Sequence, residues 1–70
     1  MAQPRQISKR FTSLEKATKF ANWIKNNTSD SDYGYPIFQD LEELSKGNFF
    51  VTYTTEKADL IHGVAIGCEL

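Results

Sequence analysis

The chain reads as an α+β fold: a small antiparallel sheet of about three strands with one helix, residues 13–27, packed on one face. Three observations carry this reading. Thr12–Asn27 repeats apolar residues at Leu14, Ala17, Phe20, Ala21 and Ile24, the spacing of a single helical stripe. Asn48–Thr55, NFFVTYTT, is rich in aromatic and β-branched residues and alternates, sending Phe49, Val51 and Tyr53 one way and Phe50, Thr52 and Thr54 the other. The first set is expected to face the helix. Seventy residues have room for one core, so the expected organisation is one domain over 1–70.

In chain order, residues 1–4 are expected as a flexible tail. Gln6–Phe11 alternates loosely, with Ile7 and Phe11 among polar residues, and is expected as a short strand feeding straight into the helix. Thr12 with Glu15 has the form of a capping box, in which each side chain bonds a free backbone N–H. The helix ends at Asn26-Asn27-Thr28-Ser29, whose short polar side chains favour turns. Ser29–Tyr35, SDSDYGY, is a loop on composition.

Pro36–Lys46, PIFQDLEELSK, places Ile37, Phe38, Leu41 and Leu44 at i, i+1, i+4 and i+7. With Pro36 in a first turn and Gly47 just past the end, this favours a second helix over 36–46. The alternative is a strand over Pro36–Leu41 forming a hairpin with Phe49–Thr55. Glu56–Asp59 then reads as a turn or a short helical start. Leu60–Ile66, LIHGVAI, reads as the last strand, with Gly63 marking a bulge or a close backbone approach. A helix beginning at Thr55 is the alternative there, and Gly67–Leu70 is a tail.

Composition bounds the function classes. The chain is 40% hydrophobic and 24% charged, which is globular rather than disordered. So small a chain buries only about 60% of the surface its unfolded form exposes, so self-association or complex formation is an expectation of its size. One cysteine, Cys68, excludes an internal disulfide framework and points to a reducing cytoplasm. MAQPRQISKR has no apolar run and does not read as a signal peptide, and no segment approaches the length that spans a bilayer. The sequons at Asn26 and Asn27 are then chemically idle.

Net charge is −1, but it is unevenly placed. Residues 1–26 hold six basic side chains against Glu15 alone, a balance of +5, and residues 27–70 hold two against eight acids, a balance of −6. The chain is bipolar along its length.

Catalytic chemistry finds no constellation. His62 is the only histidine, with Asp59 and Cys68 its nearest candidate partners in sequence, and this spacing matches no metal pattern. Nothing near Cys68 would lower its pKa. Asp30-Ser31-Asp32 alternates oxygen ligands as a calcium loop does, but lacks the remaining ligands and the terminal Glu. The four glycines are scattered and form no phosphate-binding loop. No enzyme activity, metal or cofactor is expected.

Two surfaces are candidates for binding. The first mixes acids with tyrosines: Asp30, Asp32, Tyr33, Tyr35, Asp40, Glu42 and Glu43. Tyrosines supply large rigid contact area, and carboxylates complement a basic groove on a partner protein. The plain alternative is a solvated loop and helix face. The second surface is basic: Lys16, Lys19 and Trp23 share one helix edge, with Lys9 and Arg10 just upstream. Such a set can hold a phosphate backbone and stack a base. A sequence pI near 5.7 weighs against nucleic acid, and Trp23 closing the edge of the core is the plain alternative.

A strand running into Thr-Ser-Leu-Glu-Lys-Ala-Thr-Lys-Phe-Ala at Phe11–Ala21, followed by strands in so short a chain, is similar to many small phage and mobile-element proteins. It resembles the very small inhibitors of host RNA polymerase and some anti-CRISPR proteins in size and layout. The resemblance implies a non-enzymatic protein that binds a host protein inside the host cytoplasm and blocks or redirects it. No site residue is carried over by it.

Overall fold

The computed structural model describes residues 4–70. The elements follow the order β1 (Arg5–Phe11), α1 (Leu14–Asn26), a 3₁₀ turn at Ser31–Tyr33, β2 (Ile37–Ser45), β3 (Asn48–Thr55) and α2 (Ala58–Glu69). This is the small antiparallel α+β fold expected from the sequence. Apart from Pro4, the tail expected over residues 1–4 lies outside the described residues.

The last strand in the chain is the middle strand of the sheet, whose order is β1-β3-β2. β3 pairs antiparallel with both neighbours: Phe49 stands opposite Phe11 of β1 and Glu43 of β2, and Thr54 opposite Gln6 and Ile37. β1 and β2 therefore run parallel to one another, and α1 crosses over β3 to connect them. β2 and β3 form a hairpin through Lys46-Gly47, where Gly47 takes φ +81° and the Glu43 carboxylate accepts the Gly47 N–H at 2.9 Å.

Both helices lie on one face. The expected alternation of β3 holds, with Val51 and Tyr53 buried under α1 and Phe49 packed against the same core. From α1, Ala17, Phe20, Ala21 and Ile24 are buried as expected. Phe20 is the hub: its ring lies 5.5 Å from Phe11, 5.3 Å edge-on to Tyr53 and 6.5 Å from the parallel ring of Trp23. Burial of an aromatic side chain of this kind contributes about 1.5–3 kcal/mol. Leu14 departs from the expected stripe and is 54% exposed. At 100° per residue it stands roughly 70° from the centre of the buried set. The cap is also one residue further on: Ser13, not Thr12, is the N-cap, and its hydroxyl accepts the Lys16 N–H at 3.4 Å.

Two elements differ in kind from the periodicity reading. The segment 36–46 is not a helix but the strand β2, as the hairpin alternative had it. Its register shifts between Phe38 and Asp40 and again between Glu43 and Ser45. The extra residue at Gln39 turns both Phe38 and Leu41 towards the core, opposite Tyr53 and Val51. A bulge thereby converts a spacing of two into three and imitates a helical stripe. Leu60–Ile66 is not a strand but the middle of α2, whose buried residues Ile61, Ala65 and Cys68 recur at four and three. Gly63 marks neither bulge nor close approach: a Cβ there would meet nothing within 4 Å.

Gly34 is required both by its backbone and by its neighbours. It has φ +69°, and a Cβ would stand 2.7 Å from the Lys57 backbone nitrogen. Beside it, the buried Thr55 hydroxyl donates to the Tyr33 carbonyl at 3.2 Å and accepts the Lys57 N–H at 3.0 Å, locking this loop to the β3–α2 junction. The two glycines therefore respond in opposite directions. Gly34→Ala lowers unfolding free energy by about 2 kcal/mol or more, through clash and a left-handed backbone. Gly63→Ala raises it by about 0.5–1 kcal/mol through helix propensity. Urea titration of both variants beside the parent chain measures this.

Candidate protein-binding surface

The acidic, tyrosine-bearing stretch begins where α1 ends. Asp30 organises the turn: its carboxylate accepts the Asp32 N–H at 2.9 Å, and its carbonyl accepts the N–H groups of Tyr33 at 3.2 Å and Tyr35 at 3.1 Å. Gly34 and Tyr35 are both left-handed, at φ +69° and +51°. For a tyrosine this conformation costs on the order of 1–2 kcal/mol. It is held by the hydrogen bond to Asp30 and by Pro36, which is fully buried. The consequence is a tyrosine 48% exposed at the entrance to β2.

β2 is an edge strand. Among the described residues its outer side carries no other strand, and Ile37 and Leu44 on it are 50% and 62% exposed. The strand divides its acids. Asp40 and Glu42 stand opposite Thr52 and Phe50, on the face away from the helices, whereas Glu43 stands opposite Phe49 and closes the hairpin turn. On a helix the three carboxylates would have made one solvated face; the strand splits them.

The seven acidic-set candidates are thus of two kinds. Asp32, Tyr35, Asp40, Glu42 and Glu43 are exposed around the start and edge of β2. Asp30 serves as a turn cap, and Tyr33 is half-buried, edge-on to Trp23 at 4.9 Å. The apolar residues Ile37 and Leu44, which the helical reading of 36–46 sets on one stripe with Phe38 and Leu41, belong to this exposed edge. The run of Asp and Glu through them was the available signal that this segment faces water.

The basic set is gathered only in part. Lys9 points to the helix side of β1 and donates to the Glu69 carboxylate and to the Arg10 carbonyl. Lys16 donates to the Glu69 carbonyl at 2.7 Å. Arg10 stands opposite Phe50 on the other face of the sheet. Trp23 stacks on Phe20 and meets Tyr33 edge-on as the edge of the core. Lys19 is exposed, close enough to Cys68 for its charge to bear on the thiol. Lys9, Arg10, Thr12 and Lys16 do line an open cleft of about 430 Å³, but Glu69 lines it with them. α2 has come to rest along the edge of α1 that carries Lys16 and Lys19.

His62 and Cys68 form no pair. His62 is exposed on α2 while Cys68 is buried, so the pair suggested by their closeness in sequence does not meet. Burial pushes the Cys68 thiol up, with the charge of Lys19 opposing. Among the described residues no three His, Cys, Asp or Glu side chains could hold a metal ion, and no helix is long and apolar enough to cross a membrane.

The hydrogen bond from Lys9, helped by the charges of Lys9, Lys16 and His62, holds the Glu69 carboxyl below its ordinary value of 4.5. A lowered carboxyl stabilises the fold above that value and loses its contribution as pH falls through the folded-state value. Glu69→Gln is therefore expected to lower Tm at neutral pH and to flatten the fall in Tm as pH drops below 4.5, measured by thermal melts across that window.

Comparison with protein-family models, with curated proteins and with solved structures finds no match to this chain.

Proposed function

We propose that the chain is a non-enzymatic binding protein that captures a basic protein partner through the acidic, tyrosine-bearing side formed by Asp32, Tyr35 and β2. One observation carries the reading. Tyr35 is held exposed by a left-handed backbone immediately before an acidic edge strand, and strained backbone of this kind is a pointer to function. Tyrosine anchors flanked by charge are the residues that dominate binding energy and orient a partner of opposite sign.

The resemblance to small phage-type modulators adds the finer part of the proposal: the partner is a host protein in the host cytoplasm, and binding blocks or redirects it. A nucleic-acid role through Lys9, Arg10, Lys16, Lys19 and Trp23 has less support, because Lys9 and Lys16 are committed to Glu69 and Trp23 to the core.

The test is affinity capture from a host lysate with and without nuclease, followed by two variants. Reversing Asp40, Glu42 and Glu43 to Lys is expected to abolish capture while the circular dichroism spectrum is unchanged. Tyr35→Ala is expected to weaken it by about tenfold or more. Capture that survives both changes would remove the proposal, and capture lost only on nuclease treatment would replace it with the nucleic-acid reading.

A further inference from the structure

The face of the sheet away from the helices has an order that the fold does not use and that partner capture uses only at Asp40 and Glu42. Cross-strand register arranges it in three rows: Arg10, Phe50 and Glu42; Ser8, Thr52 and Asp40; Gln6, Thr54 and Ile37. The basic member stands on one edge strand and both acids on the other. Two strand spacings, roughly 10 Å, separate Arg10 from Glu42, too far to pair within one chain. Among the described residues neither Arg10, Asp40 nor Glu42 joins an ion pair. The polar members lie flat, with Gln6 donating to Gln39 at 2.7 Å across the middle strand and Ser8 bonding Thr52 at 3.0 Å. Phe50 sits half-buried at the centre of its row, on the face opposite Val51 and Tyr53.

We propose that this face is a contact between two copies of the chain, related by a two-fold axis running parallel to the strands over β3. The charge pattern selects both the occupant and the axis. A two-fold parallel to the strands lays β1 of one copy over β2 of the other. Arg10 then meets Glu42 of the second copy twice, Ser8 meets Asp40, and the two Phe50 rings meet on the axis. A two-fold perpendicular to the strands lays β2 over β2, so that Asp40 and Glu42 face carboxylate-bearing strand and Arg10 faces β1, where no acid stands. Only the first is complementary. Aligned packing of two sheet faces about 10 Å apart is a standard geometry.

The contact is weak. Three strands and seven residues give a footprint of roughly 350 Å² per copy from the usual strand spacing and rise. Stable complexes bury about 800 Å² per partner. The dimer therefore forms reversibly at high concentration and low salt, since exposed charge pairs are screened. This inference does not rest on partner capture. The two share Asp40 and Glu42, so the experiment reads mass rather than capture.

Sedimentation equilibrium on the whole chain, from about 10 µM to about 1 mM, spans the range in which so small a contact populates. The weight-average mass is expected to rise from 8.0 kDa towards twice that value, and less so in high salt. Arg10→Glu alone and Glu42→Arg alone are expected to stay at monomer mass with an unchanged circular dichroism spectrum. The double variant R10E/E42R is expected to dimerise again, because the axis exchanges the two positions. A parent chain that stays monomeric throughout overturns the proposal. So does a dimer that the single reversals leave intact, or a double variant that remains monomeric.

Discussion

The rest of the structure depends on β3 being paired on both sides. Once Phe49–Thr55 lies between β1 and β2, its buried residues Val51, Tyr53 and Thr55 define the floor of the core, on which α1 packs while α2 rests on α1 and β1. The same placement decides the electrostatics. β1 comes from the basic first part of the chain and β2 from the acidic remainder. Inserting β3 between them turns a bipolar sequence into a sheet with one basic and one acidic edge. Pairing β1 directly with β2 would have neutralised those charges within the chain. Topology alone keeps them apart.

α2 acts in the opposite sense. Its last turn carries Glu69 to the helix side of β1, where Lys9 and Lys16 converge on it. The side chains of Lys9 and Arg10, adjacent in sequence, leave β1 on opposite faces. Lys9 is consumed in fastening α2, and Arg10 is left displayed on the open face. Period-two alternation thus divides one basic dipeptide into a structural half and a free half. The same division separates Glu43, which closes the hairpin, from Glu42, which is displayed.

The sequence made the α1 stripe and the β3 alternation legible because each is regular over its full length. Ala17, Phe20, Ala21 and Ile24 keep helical spacing without interruption, and Asn48–Thr55 alternates with no inserted residue. β2 was misleading for a physical reason: an inserted Gln39 moves Leu41 into register with Phe38, so two strand residues on one face stand three apart. α2 was misleading for another. Leu60 and Ile66 are apolar yet exposed, so the helix has little sidedness and its apolar run resembles a buried strand. The candidate site residues are legible as a composition, acids with tyrosines. Which of them face solvent is not, because Asp30 and Tyr33 are withdrawn by a turn bond and an aromatic contact that only the fold supplies.

The loop before β2 shows how little of this chain is free to vary without consequence. Thr55 bonds the Tyr33 carbonyl, Gly34 sits against Lys57, and Glu56 donates its N–H to the Gly34 carbonyl at 3.1 Å. The loop that presents Tyr35 is thereby built into the junction between β3 and α2, not appended to the core. Strain at Tyr35 persists because these neighbours over-determine it. A chain of marginal size retains such a conformation only where the surrounding contacts are cooperative. Tyr35 is therefore presented by a loop whose hydrogen bonds run to Thr55 and Glu56, at the start of α2.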